Sequence, residues 1–432
     1  MENLSNLYLF IYSAACIFTF FFYQRKRHIL DAGSIVLLSY VAYSITSFLF
    51  FNDKSEFSSE IVELSFPPFL YLYIMLMMAS SPILKFDARR VHQLLPPSKS
   101  VVHIVLIMFV FFSLLSFPYT IQHIREGLMM IMLDASGGRE LVQDRVEIAD
   151  TFGHGGLAHL PTVISSAFNT IGIFLLFYLL SLKKKKKLII FGLAFCVILS
   201  IFSTVATGSR GGPIDIMLVI VSTFFMFKFF YSEEIKRWTN RIGLILIVAL
   251  AIPIAAITIS RFGEEGSSSS VLRYTGLGNL NFNKYALDDN GIRYGDRTIP
   301  LFKRIIGIEN VPHNYVERRS KYPKLKINDE TFSTFVGDFT IDYGPIIAFL
   351  IFLFFNILVV SKTRLRQGKI KFRHLLLIHF TLCVCIQGGM SLFSFADVGG
   401  NLKIIAYFLV YMYSKLTEDR VEPKKVVQQL TT

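Results

Sequence analysis

Apolar residues in this chain run in long unbroken blocks instead of alternating singly with polar ones. An α-helix needs about 20 apolar residues to cross the hydrocarbon core, whereas a barrel strand needs about ten in strict alternation. The blocks therefore predict helices, eleven of them: 4–23, 31–51, 61–81, 101–119, 158–182, 188–206, 211–230, 242–260, 338–360, 374–394 and 396–414. Backbone groups in lipid must be hydrogen-bonded within the protein, so the expected fold class is an all-α integral membrane protein, one polytopic domain over 1–432. Two connections exceed what a turn needs, 120–157 and 261–337. The first contains IQHIREGLMMIML, whose Ile121, Ile124, Leu128 and Ile131 recur at helical spacing. It reads either as a helix lying in the interface or as an extension of the fourth span. The second opens with GEEGSSSS, a flexible tether, and continues through YTGLGNLNFNKYALDDN, IPLFKRIIGI and PHNYVERRSKYPKLK. These carry enough aromatic and aliphatic residues to fold against the membrane as a lid or substrate wall.

Composition removes the soluble alternatives. Of 432 residues 53% are hydrophobic and only 17% charged, with a mean hydropathy of +0.52. A soluble chain carries about a quarter charged residues, and a disordered one lacks the 43 Phe and 19 Tyr found here. The net charge of +13 bears first on topology and not on nucleic acid. Segments on one side of the eleven helices carry 26 Lys and Arg, and short segments on the other carry six. The positive-inside rule then puts the N-terminus outside and the tail 415–432 inside. The first block has no basic residue ahead of it and is followed by QRKRH, so it reads as a span and not as a cleaved signal. Cys16, Cys196, Cys383 and Cys385 all fall in apolar blocks, and neither a disulfide nor a metal site is expected. The sequence has no Walker A loop, GxSxG elbow, HExxH or CxxC pair, which leaves ATP-driven transport, serine hydrolysis and zinc chemistry unsupported.

Candidate chemistry gathers at outer span ends. Arg210 stands in TVATGSRGGPIDIM, where a guanidinium at the hydrocarbon edge is costly unless something anionic meets it. Gly208, Gly211 and Gly212 allow close backbone approach, and a helix beginning near Pro213 adds its own preference for anions. A snorkelling arginine, or one paired with Asp215, is the alternative. His313 stands in VPHNYVERRSKY and is the residue type that takes a proton from an attacking hydroxyl near neutral pH; a loop histidine can also simply be solvated. Asp338 and Asp342, four apart in TFSTFVGDFTIDYGPIIAF, share one helical face and either cap the helix or bind sugar hydroxyls. Arg261, Arg273, Arg293, Arg297, Arg304, Arg318 and Arg319 interleave with Tyr274, Tyr285, Tyr294, Tyr315 and Tyr322, among seven acids. Lys183–Lys187 reads as a topology anchor touching anionic lipid, and Gly388 with Gly389 as a close helix contact.

This organisation resembles the bacterial O-antigen and oligosaccharide repeat-unit polymerases of the Wzy type, and more distantly the O-antigen ligases. The likeness rests on about a dozen helices, two enlarged loops, the arginine motif at 210 and the TFSTFVGDFTIDYGPIIAF segment. It implies a glycosyltransferase of the bacterial inner membrane, with both large loops periplasmic. The substrate would be an undecaprenyl-diphosphate-linked oligosaccharide, the partners membrane lipids and a chain-length regulator protein, with neither cofactor nor nucleic acid. Arg210 and His313 would be catalytic by this likeness. Arg261, Arg273 and Arg293, chosen by loop position and not by motif, and Tyr315, Asp338 and Asp342 would bind substrate. Three alternatives stay open. The first is an O-antigen ligase. The second is a metal-assisted glycosyltransferase using Asp53, Glu56 and Glu60. The third, of another class, is a lipid-linked oligosaccharide flippase, which needs charge through the membrane.

Overall fold

A computed structural model describes residues 2–53, 63–133, 160–182, 186–206, 211–287, 291–327, 333–364, 368–390 and 393–418. The side chains of 2, 128, 130–133, 206, 244 and 246–270 are outside the description as well. The helices are α1 (Glu2–Arg27), α2 (Ala32–Phe51), α3 (Phe66–Lys85), α4 (Lys99–Leu115), α5 (Phe117–Leu133), α6 (Leu160–Leu180) and α7 (Lys187–Ala206). They continue with α8 (Gly211–Phe227), α9 (Glu233–Tyr285), α10 (Pro300–Ile305), α11 (Tyr315–Lys321), α12 (Thr334–Thr363), α13 (Phe372–Gly388) and α14 (Asp397–Glu418). Among the described residues seven helices are long and apolar enough to cross a membrane, or eight if bent α4–α5 counts as one span. The protein is thus an all-α membrane protein.

Burial follows the solvent. Phe18, Phe21 and Phe22 of α1, Leu188 and Phe191 of α7, Phe354 of α12 and Phe408 of α14 are exposed around the bundle, as lipid requires. Serines and threonines turn inward and return their hydroxyls to carbonyls one turn back: Ser44 to Val41, Ser80 to Leu76, Thr223 to Val219. This satisfies a polar group without needing water. Small side chains also let helices touch. The Ser47 hydroxyl donates to the carbonyl of Gly276 at 2.7 Å and accepts from Asn279 at 3.0 Å, binding α2 to α9. Asn283 brackets Ser65 with two bonds, at 2.9 and 2.7 Å.

At one pole Arg27 pairs with Asp87 at 2.6 Å and caps the carbonyls of Leu84 and Phe86. There β1 (Gln93–Leu95) pairs in parallel with β2 (Lys369–Lys371), and Arg373 meets Glu418 at 3.3 Å. Basic segments from distant parts of the sequence therefore share this basic pole.

The first long connection takes one of the two forms left open by sequence, and the second departs from its reading. The polypeptide turns by 57° at Ser116–Pro118 and continues as α5, so IQHIREG is a helix of its own and not a straight extension. The rest of 120–157, beyond Leu133, lies outside the described residues. The expected tether GEEGSSSS is helical, because α9 continues through it to Tyr285, 53 residues or about 80 Å. Residues 276–286 do not form a surface wall either: Asn279, Leu280, Asn281, Phe282 and Asn283 are buried against α1, α2 and α3. Gly276 explains the fit, since a Cβ there would stand 2.6 Å from the Thr46 carbonyl oxygen. Gly276→Ala is expected to cost about 1–3 kcal/mol by forcing two backbones apart. Gly243→Ala on the same helix meets nothing within 4 Å and should be neutral or stabilising. Unfolding midpoints of the two variants in detergent check this; equal midpoints would refute the close-contact account.

Candidate functional site: a charge-clamped cap at the pole opposite the basic one

Beyond α9 the chain folds a cap, 291–327, against the N-terminal arm of α12 and the start of α14. The turn at 291–298 needs Gly295 at φ +82, a region costly for a residue with a Cβ. α12 is broken at Gly344 (φ 77, ψ 162), and Pro345 after it has no N–H to continue the ladder. The break separates a buried arm, 334–343, from the lipid-facing remainder, where Ile346 is 76% exposed.

Arg293, only 1% exposed, enters between the two aspartates of this arm. Its guanidinium lies 2.7 Å from Asp342 Oδ1 and 3.3 Å from Asp338 Oδ1, and Arg297 Nε lies 2.9 Å from Asp338 Oδ1. The remaining oxygens accept backbone N–H groups: Phe393 donates to Asp338 and Thr298 to Asp342, both at 2.7 Å. A second node centres on fully buried Asp296, which takes Lys303, Lys321 at 2.6 Å and the Tyr322 hydroxyl at 2.7 Å. A third joins Arg318 to Asp397 at 2.9 Å, while the Asp397 N–H donates to the Arg297 carbonyl at 2.8 Å. Asn401 of α14 completes the seam, donating to the carbonyls of Thr298 and Phe395 and accepting from the N–H of Leu301.

Burial by itself would raise the Asp296 carboxyl, but hydrogen bonds from Lys303, Lys321 and Tyr322 outweigh it and hold the group below its ordinary 3.8. A carboxyl whose folded value is lowered stabilises the fold above its unfolded value, and that stability is lost as pH falls through the folded one. Protection of 291–322 from protease is therefore expected to stay level from neutral to about pH 4 and to fall below it. Asp296→Asn should weaken the cap at neutral pH and lessen the acid-dependent fall; an identical acid limb in that variant would remove Asp296 from the account.

Of the residues singled out by sequence, the structure joins Arg293, Asp338 and Asp342, and directs their charges at one another. His313 is exposed immediately before α11. Its backbone N–H donates to Glu317 at 2.7 Å, and its imidazole has no hydrogen-bond partner among the described residues. Tyr315, half-buried, begins α11. Arg273 is exposed on α9, whereas Arg261 falls on the same helix with its side chain undescribed. Arg210 lies outside the described residues, one position before α8. Asp53 is described at the end of α2, but Glu56 and Glu60 are not.

Sequence reading passed over Lys303 and Asp397, and it counted Arg297, Arg318 and Asp296 only as members of a mixed-charge segment without pairing them. It also passed over two groups within the bundle. His379 is completely buried, with Nε2 2.9 Å from the Thr223 hydroxyl and Nδ1 2.8 Å from the Tyr407 hydroxyl. Lys403, counted with an outer connection, lies inside α14 and interacts electrostatically with Asp215 of α8. Among the described residues no cluster of three or more His, Cys, Asp or Glu is placed to hold a metal ion, and the four cysteines are buried and free. Comparison of the chain with protein-family models, with curated proteins and with solved structures finds no match.

Proposed function

We propose that the protein is a glycan polymerase, a glycosyltransferase that moves a growing undecaprenyl-diphosphate-linked glycan onto a new lipid-linked repeat unit. It would act at the periplasmic face of a bacterial inner membrane, with the N-terminus periplasmic, the C-terminus cytoplasmic and eleven spans in all. The observation that carries this reading is the folded, charge-rich cap at the pole opposite the basic one, where VPHNYVERRSKY packs with the TFSTFVGDFTIDYG segment on which the likeness to the polymerases rests. A lipid-linked substrate presents its diphosphate at that depth.

In the reaction the bond between the sugar's anomeric carbon and the diphosphate oxygen breaks, and a bond to the acceptor hydroxyl oxygen forms. The hydroxyl proton goes to His313, and the polyprenyl diphosphate leaves with the electron pair. Negative charge grows on that leaving group, so Arg210 accelerates the step to the extent that it holds the charge more strongly in the transition state. The diphosphate supplies activation, so no cofactor enters. Arg261, Arg273 and Tyr315 remain substrate contacts in this scheme, while Arg293, Asp338 and Asp342 act by positioning the cap.

A second reading, a lipid-linked oligosaccharide flippase, is favoured by the ionisable groups inside the bundle, Asp215, Lys403 and His379. Purified protein reconstituted with a synthetic lipid-linked repeat unit separates the two. A ladder of chain lengths is the expected product; transbilayer movement of the unit without a ladder would replace the polymerase by the flippase. His313→Ala should slow ladder formation about 10²–10⁴-fold. A loss of only a few fold would return His313 to the status of a solvated loop residue.

A further inference from the structure

A groove opens on the lipid-facing side of the bundle between α4 and α7. Ile107, Val110, Phe111 and Leu114 form one wall, Leu188 and Gly192 the other, and its volume is about 360 Å³. Two local features make it. The middle of α4, Ile107–Phe111, is a π-helical turn, whose i→i+5 bonds take in an extra residue and which frequently occurs at functional sites. Facing it, Gly192 has no side chain to fill the space, and a Cβ there would stand 3.6 Å from Val110 Cγ1, in ordinary contact only. Further along both helices the rings of Phe117 and Phe195 meet with centroids 5.9 Å apart, so α4 and α7 run parallel.

α4 follows β1 directly and so begins at the basic pole; α7, parallel to it, begins there too. From Ile107 to Leu114 the groove covers about 10 Å of helix, less than half of the ~30 Å hydrocarbon core and so within one leaflet. Its mouth is basic. His103 and Lys99 stand four and eight residues before Ile107, on the groove face of α4, and Lys186 stands three before Ile189, which also lines the groove. All three are exposed, and none forms an ion pair with a described residue. Neither helix brings an acid to answer them, because the sequence has no Asp or Glu between Asp87 and Glu126 or between Asp150 and Asp215. α14, which touches α4, ends in Glu418, but Arg373 at 3.3 Å and the Ser414 hydroxyl at 2.7 Å hold that carboxylate.

We propose that this groove binds one anionic phospholipid, of the phosphatidylglycerol type, from the leaflet at the basic pole. One acyl chain lies between α4 and α7, and the phosphodiester sits at the mouth, where Lys99 and Lys186 take its oxygens and His103 donates an N–H. An apolar wall alone would accept any lipid tail, and lysines alone any anion. A lipid with net negative charge satisfies both, and a zwitterionic neighbour brings its own cation against the lysines. The bound chain supplies the packing that Gly192 and the π turn leave out between the two helices. The site depends on the membrane fold and not on the polymerase reading.

The test uses the full chain in phosphatidylcholine nanodiscs with a tryptophan reporter in the groove, Phe111→Trp, and the natural Trp238 changed to Phe. Phosphatidylglycerol and phosphatidylcholine brominated on one acyl chain quench a tryptophan that they touch. The groove reporter is expected to be half-quenched at about a tenfold lower fraction of the anionic lipid, whereas a reporter elsewhere on the lipid-facing surface, Phe354→Trp in α12, should show no preference. Lys99→Gln and Lys186→Gln, both at exposed positions, should each weaken the anionic lipid about fivefold, the effect of one lysine at a membrane surface, and leave phosphatidylcholine unchanged. Gly192→Leu, which fills the groove and keeps the charges, should weaken quenching by both lipids, whereas Gly192→Ala should not. Equal quenching by the two lipids in the groove, the same preference at the Phe354→Trp reporter, or an undiminished preference in the double variant Lys99→Gln/Lys186→Gln overturns the site. Unchanged quenching in Gly192→Leu overturns the acyl-chain contact. Unlabelled polyprenyl monophosphate that displaces the brominated anionic lipid better than unlabelled phosphatidylglycerol does would give the groove to a polyprenyl carrier and overturn the phospholipid assignment.

Discussion

Arg293→Ala is expected to destabilise the protein by about 3–5 kcal/mol, the usual consequence of removing one partner from a buried ion pair. Arg293 is 1% exposed and is shared between Asp342 and Asp338, which are themselves 0% and 1% exposed. Truncation leaves the Asp342 carboxylate with the Thr298 N–H as its remaining contact among those described, in a place where unpaired charge is poorly solvated. Asp338 fares better, because Arg297 and the Phe393 N–H still reach it. The energetic damage therefore centres on Asp342. That asymmetry makes the expectation specific: the double variant Arg293→Met/Asp342→Asn removes the charge with its partner and keeps an oxygen for Thr298, so it should recover most of the loss. Protease protection of 291–322 and the apparent unfolding midpoint, read as a double-mutant cycle, give the coupling. A double variant no more stable than Arg293→Ala would mean that the arginine contributes packing and not charge pairing.

The same cluster shows what could be read from the chain and what could not. Seven of the expected spans, or eight with bent α4–α5, coincide with helices long and apolar enough to cross a membrane, because the period and length of such blocks are local properties. The break at Gly344–Pro345 went unread, since the expected span 338–360 runs straight through it. The four-residue spacing of Asp338 and Asp342 correctly put them on one face, but spacing cannot say what meets that face. Their partners, Arg293 and Arg297, stand more than 40 residues away, and the choice between a substrate phosphate and a protein carboxylate is made by tertiary folding. The same limit explains α9. GEEGSSSS carries a tether's composition, yet the helix runs through it, and the buried Gly276–Asn283 stretch that follows is held by Ser47 and Ser65 from distant helices. Lys403 escaped notice because one lysine near a span end is indistinguishable, in sequence, from an interfacial anchor.

Arg210→Ala is expected to abolish long glycan chains while the protein still inserts and folds. The expectation starts from cost: a guanidinium beside an apolar helix, in SRGGPID, persists only where something anionic compensates it. Asp215 is one compensating candidate in sequence, and the position of Arg210 itself lies outside the described residues. If a leaving diphosphate is the partner instead, the arginine's two parallel N–H groups match two phosphoryl oxygens, and the match tightens as charge develops. Removing one such donor from an anion-stabilising site lowers turnover about 10²–10³-fold, enough to eliminate the upper rungs of a ladder. Arg210→Lys keeps charge and loses the planar fork, so it should fall between wild type and alanine. The measurement is turnover of the synthetic lipid-linked unit at saturating substrate, with insertion checked by size-exclusion elution. A wild-type ladder from Arg210→Ala would exclude the arginine from the chemistry. Alanine and lysine variants that lose turnover equally would show that fork geometry, and not charge alone, carries the effect.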